Sequence, residues 1–160
     1  MKKKICAIGE CMMEFKNLNN NLYDQSIAGD TLNFSSYLNK KIFNVYYITA
    51  IGNTQISNKV IQFLKKEKIN SKLVKIISSH EIGLYLIKNN SLGEKYFYYW
   101  RDNSASKFFF NKLIIKDMLK KLHNFQYVYF TGITLSLFEN TSLNNFIELL
   151  DLLKKKNIQI

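Results

Sequence analysis

An α/β fold built on a parallel sheet, with a small antiparallel flap added to it, is what this sequence predicts, and three observations carry that expectation. First, "KKICAIG" (3–9), "NVYYITAIG" (44–52) and "YVYFTGI" (127–133) are near-continuous apolar runs, the pattern of strands covered on both faces. Second, amphipathic helical patterns lie between and after them, so strand and helix alternate as crossover units of a parallel sheet require. Third, "GLYLIKNNSLGEKYFYYWR" (83–101) holds no helix. It reads as two strands joined by Asn89, Asn90, Ser91 and Gly93, and a hairpin inserted into such a fold commonly covers a site.

The helices follow in chain order. One opens near Asp30 or Thr31 and runs to about Lys40. A second covers 57–68 with Ser57 as its cap. Ile115, Met118, Leu119 and Leu122 then repeat at helical spacing, as do Leu143, Phe146, Ile147 and Leu150 in a helix over 141–156 that Thr141 or Asn140 caps. The final "NIQI" (157–160) has the character of another buried strand just beginning. The expected architecture over 1–160 is therefore the front part of a larger sheet, with the flap at 83–101.

Composition narrows the function classes. At 160 residues and 47% hydrophobic, the chain can bury a single-domain core. The formal charge of +11 invites a nucleic-acid reading, but the lysines are scattered among helix ends and polar faces. No Arg-rich stretch, zinc-finger spacing or RNA-binding aromatic signature accompanies them, so no nucleic-acid partner is expected. Abundant Lys, Asn, Ile, Phe and Tyr, with no Pro and a single Arg, is what drift in an AT-rich genome produces. Cys6 and Cys11 read as two reduced thiols in or beside a buried strand. The apolar run after the basic N-terminus is broken by Glu10, unlike a signal peptide. No stretch reaches the roughly 18 apolar residues of a membrane span. A cytoplasmic protein without a membrane partner is expected.

Two constellations could carry chemistry. In "AGDTLN" (28–33), Asp30 or Thr31 suits helix capping; equally, Gly29 could let backbone approach a polyhydroxylated ligand whose hydroxyls bond Asp30 and Asn33. In the hairpin, alternation puts Phe97, Tyr99 and Arg101 on one face and Tyr96, Tyr98 and Trp100 on the other, with Tyr85 on the paired strand. The lone guanidinium among rings suits a planar carboxylate, or it is an arginine stacked on surface aromatics. His80 and His123 read as solvated or capping. No Walker A, Gly-rich nucleotide loop or Ser-His-Asp arrangement is present, and neither a catalytic nor a metal-binding residue is assigned.

"ICAIGECMMEF", "AGDTLN", "YYITAIG", "GLYLIKNNSLGEKYFYYWRDNSASKFF" and "FQYVYFTGITLSLF" together resemble the 2-keto-3-deoxygluconate kinases (2-dehydro-3-deoxygluconokinases) of the ribokinase/PfkB carbohydrate kinase family, over the whole chain and in order. The resemblance implies a Rossmann-like, ribokinase-like core with a β lid over the sugar, drawn mainly from 10–16 and 83–101. It implies that Gly29, Asp30 and Asn33 line the pocket, and that Tyr85, Tyr99, Trp100 and Arg101 contact the substrate, the arginine facing its carboxylate. ATP and Mg2+ are implied as cofactors. Two local departures stand out: Ala28 where the family has the first glycine of Gly-Gly-Asp, and Gln126 where an Asp is common. The larger departure is that family members run to roughly twice this length. The resemblance therefore makes 1–160 the N-terminal part of such a kinase, with the ATP-binding half and catalytic base absent. No kinase activity is expected from this chain alone. A separate C-terminal half or a lid-mediated homodimer could complete it; the alternative is a non-catalytic remnant or lid-mediated interaction module of a degraded gene.

Overall fold

In the computed structural model, which describes residues 2–18, 22–90, 92–110 and 112–160, β1 (Lys3–Ile8) is the centre of a parallel sheet. β4 (Phe43–Ile48) and β9 (Tyr127–Tyr129) flank it, in the order β4-β1-β9. The continuous apolar run of β1 has a direct cause. Cys6 and Ile8 enter one core cluster, with Val128, Met118, Leu122, Phe146 and Leu149. Ile5 and Ala7 enter the other, with Val45, Tyr47, Leu32, Val60 and Leu64. Alternate side chains thus meet helices on opposite faces: α3 (Lys112–Leu122) and α5 (Asn140–Lys154) on one, α1 (Asp30–Tyr37) and α2 (Gln55–Lys66) on the other. Cys6 and Cys11 are free and buried.

Two runs that looked like single strands are divided. The 44–52 run breaks at Thr49, after which β5 (Ala50–Ile51) pairs in parallel with β6 (Lys75–Ile76) as a separate sheet. The 127–133 run stops at Tyr129 because Thr131 caps a short helix, α4 (Gly132–Leu137). Thr131 Oγ1 accepts from the Thr134 N–H at 3.3 Å while the Thr131 N–H donates to Thr134 Oγ1 at 3.3 Å, a reciprocal cap. Thr134 also donates to the Ile8 carbonyl at 2.9 Å, tying α4 to the end of β1. At the C-terminus, Val128 N–H donates to Gln159 O and Gln159 N–H to Gln126 O, at 2.9 and 3.0 Å. Gln159 thus forms an isolated parallel bridge with Tyr127 of β9, where the sequence pattern suggested a strand.

The second large sheet runs β3-β2-β7-β8, from β2 (Met12–Asn17), β3 (Tyr23–Ala28), β7 (Gly83–Asn89) and β8 (Lys95–Trp100); β2 and β7 are parallel and the outer pairs antiparallel. Its hairpin turn is held by Asn90 Oδ1, which accepts from the N–H groups of Leu92 and Glu94 at 2.9 Å each. Gly93 supplies the left-handed φ of 82°. Ser91 of this turn lies outside the described residues.

The helix caps differ from expectation. The residue before α2 is Thr54 and that before α5 is Glu139, neither making a side-chain cap bond. Ser57 lies inside α2, buried, accepting from the Gly52 N–H at 2.8 Å and donating to Glu81 Oε2 at 2.9 Å. Ser57→Ala should therefore lower stability by about 1–2 kcal/mol, since it leaves a buried N–H without an acceptor. Urea unfolding would show it as a lower midpoint at unchanged slope.

Candidate functional site

The site grows from the C-terminal end of β1, where the chain passes through Gly9, Glu10 and Cys11 into β2. Gly29 precedes α1 in extended backbone (φ 162°), and a Cβ there would lie 2.4 Å from the Glu10 carbonyl oxygen. Its glycine is required by close approach of backbone, not by a turn. Neither Asp30 nor Thr31 caps α1, which has no side-chain cap bond. Thr31 is buried and donates to Tyr47 Oη at 3.0 Å, because the single Tyr47 hydroxyl proton goes to Glu10 O, also at 3.0 Å. Asp30 instead accepts from the Thr131 hydroxyl through Oδ2, leaving Oδ1 without a bond from another described residue. Asn33, one turn further along α1 and exposed, helps wall a cavity of about 460 Å³ with Glu14, Ser26, Ala28 and Tyr37. Ala28, where the family prefers glycine, sits at the end of β3 without a positive φ.

On the flap, register sets Tyr85 opposite Tyr99, Ile87 opposite Phe97 and Leu84 opposite Trp100. Tyr85 is buried, its ring 5.7 Å from Tyr99 and 6.3 Å from Phe97. Its hydroxyl donates to Glu14, which also accepts from Ser26 at 3.0 Å. Burial, and then the Glu14 carboxylate, push the Tyr85 phenol up, so it acts as a neutral donor. Tyr99, Trp100 and Arg101, at the end of β8, line a cleft of about 590 Å³ together with Gly83, Glu81, His80 and Ser104.

Arg101 is not stacked on open surface. Its Nη2 pairs with Glu10 Oε2 at 2.7 Å, the arginine side chain 23% exposed and the glutamate 3%. Burial raises the Glu10 carboxyl above its ordinary 4.5, opposed in turn by the Ser104 side chain, Arg101, Ser106 and Lys107. The sign follows. A carboxyl raised in the folded state stabilises the fold below its unfolded value, and that contribution disappears as pH climbs through the raised one. Glu10→Gln, neutral at every pH, should melt close to wild type near pH 4.5 and some degrees above it near pH 8. Thermal unfolding across that range checks this, and a constant difference would refute it.

Glu10 therefore joins the two constellations: its carbonyl lies under Gly29, its carboxylate holds Arg101, and Oε1 is 3.0 Å from where a Gly83 Cβ would stand. Asn33 and Tyr85 meet separately at Glu14, one across the second cavity and one by hydrogen bond. The cleft wall holds Tyr99, Trp100 and Arg101 but not Gly29, Asp30, Asn33 or Tyr85. Sequence reasoning missed Glu10, Glu14 and Thr131. A signal existed for the first two: acids inside the apolar stretch "GECMMEF" must find partners once buried.

The start of α1 does not fit a phosphate. The anion-attracting N-terminus of α1 carries the Asp30 carboxylate, and no group of three or more His, Cys, Asp or Glu that could hold a metal ion occurs among the described residues.

A parallel α/β core whose strand ends meet a polar helix start beside a β flap is the architecture of sugar kinases of the ribokinase type, and the comparisons agree. The model of the pfkB family carbohydrate kinases matches residues 2–159, and the chain belongs to that family. It is 34% identical over 154 residues to the 2-dehydro-3-deoxygluconokinase of Escherichia coli, covering 94% of this chain and 50% of that protein. It is 32% identical to that of Haemophilus influenzae, covering 99% and 52%. The chain thus spans about half the length of these curated relatives. Among crystal structures, the 2-dehydro-3-deoxygluconokinase of Thermotoga maritima matches with TM-score 0.83 at 20% identity, over 98% of this chain and 49% of that one. A Xylella fastidiosa fructokinase with bound ATP matches with TM-score 0.79 at 13% identity, over 98% and 47%. No described helix is long and apolar enough to cross a membrane.

Proposed function

We propose that these residues form the sugar-acid-binding portion of a kinase that phosphorylates 2-keto-3-deoxygluconate with ATP and Mg2+, in the cytosol, where the free Cys6 and Cys11 stay reduced. Asp30 and Asn33 take the sugar hydroxyls, with Gly29 keeping the backbone close. Tyr85, Tyr99 and Trp100 form the lid wall, and Arg101 takes the carboxylate. The observation that carries the reading is Glu10, which touches both the Gly29 turn and the Arg101 fork, so that hydroxyl-binding and carboxylate-binding groups share one anchor. Phosphoryl transfer needs a positioned nucleotide, charge neutralisation and an activated acceptor. We assign those to a C-terminal half like that of the relatives, so residues 1–160 alone bind the acid without turning it over.

Calorimetry with 2-keto-3-deoxygluconate and, as neutral comparator, 2-deoxyglucose tests the reading. Preferential binding of the acid is expected, with ATP-dependent phosphorylation only when the ATP-binding half is co-expressed. Equal binding of both sugars, or none of the acid at millimolar concentration, ends it.

One observation favours a second role beside the first. Every residue of β8 is exposed, five of them aromatic, at the edge of the flap sheet. An unpaired aromatic edge strand favours association, so the flap would also pair two copies of the chain. A monomer by light scattering at high concentration removes that role.

A further inference from the structure

We propose that Glu10 is a positioning residue for Arg101: its carboxylate fixes one edge of the guanidinium so that the remaining donors stay presented to the cleft, which makes the site select an acidic over a neutral sugar. The inference rests on the ligand reading above and adds to it the group that enforces it.

Three features support it. Arg101 follows an edge strand exposed along its whole length, and among the described residues the charged partner of its long, rotamer-rich side chain is Glu10. Glu10, in contrast, stands at the end of the central strand of the core sheet, its side chain 3% exposed. The contact at 2.7 Å involves one nitrogen, Nη2; a guanidinium has five N–H donors, enough to hold an anchor on one edge and a planar carboxylate on another. Stability alone does not account for an acid here, because a buried ion pair is generally no more stable than well-packed apolar groups.

The single arginine makes a direct test available. Phenylglyoxal, which modifies guanidinium groups, has one such target in this chain, so adduct formation on the Arg101 peptide, followed by mass spectrometry after digestion, reports Arg101 and needs no ligand. Glu10→Ala should react several-fold faster than wild type, with Glu10→Gln, which keeps an acceptor, in between. Equal rates in all three overturn the inference. Binding supplies the second readout. Glu10→Ala should weaken 2-keto-3-deoxygluconate at least tenfold and 2-deoxyglucose less than twofold, while Glu10→Gln stays within about threefold of wild type for both.

Loss of both sugars alike in Glu10→Ala would make Glu10 merely structural and overturn the proposal. So would tighter acid binding in both variants, which would make it only a repelling charge. If Glu10→Ala does not fold, Glu10→Asp replaces it: the shortened acid should lose the hold, react faster and weaken acid binding, and wild-type behaviour would overturn the inference. Wild-type protein that binds no acid sinks the ligand reading, whereas the phenylglyoxal rates still decide whether Glu10 holds Arg101.

Discussion

Arg101→Ala should weaken binding of 2-keto-3-deoxygluconate about 10- to 100-fold while leaving a neutral sugar nearly unaffected. A charge-assisted bond to a carboxylate contributes roughly 1.5–3 kcal/mol, and each 1.4 kcal/mol is a factor of about ten. Arg101 itself is only 23% exposed, which limits screening of its charge by water. Arg101→Lys should recover part of the loss: it keeps the charge but presents a point donor in place of a planar fork. The substitution also reaches Glu10, whose partner it removes. A carboxylate already raised by burial would be raised further, so the alanine variant should lose stability as pH rises from about 5 to 8. Calorimetry with acid and neutral sugars, with melting curves at both pH values, separates the two effects. Unchanged acid affinity in a folded Arg101→Ala would remove the arginine from the site.

How much of this could be read beforehand depends on how local the determinant is. The parallel core was legible because β1 is apolar at consecutive positions, and Cys6, Ile8, Ile5 and Ala7 do divide between two helix layers. The hairpin was legible from the turn residues Asn89, Asn90, Ser91 and Gly93 between two strand-like runs, and Tyr85 does oppose Tyr99. β3 was not: "YDQSIA" is exposed over its first half and offers neither period. α4 was hidden inside an apolar run because its start depends on the paired Thr131 and Thr134 contacts, which hydropathy does not encode. Ser57 and Thr31 were taken for caps because hydroxyls at helix starts usually are. Their partners, Glu81 and Tyr47, lie 24 and 16 residues away. Within the site, the residue types at Gly29, Asp30 and Arg101 were visible, whereas the anchor between them was not. Glu10 gains its meaning only when the end of β1 is brought under α1 and beside the end of β8.

That same convergence makes Gly29→Ala a damaging small substitution. The added methyl would stand 2.4 Å from Glu10 O and 3.4 Å from both Glu10 C and Cys11 Cα, all backbone atoms that no rotamer change can move. Conformation is not the obstacle, since φ at Gly29 is extended; the cost is steric. Yielding would displace the Glu10 carbonyl from the Tyr47 hydroxyl, and with it the chain that also carries Thr31. Alternatively it would lift the start of α1 and pull Asp30 from Thr131. Either way one half of the site moves away from the other. A loss of about 3 kcal/mol, the upper end for overpacking, and an acid affinity at least tenfold lower are expected together. Gly132→Ala is the internal control: a Cβ there meets nothing within 4 Å, so a change within about 0.5 kcal/mol is expected. Should Gly29→Ala match Gly132→Ala in urea unfolding and in calorimetry, the Glu10 turn yields freely, and close packing of backbone against it does not hold the two halves of the site together.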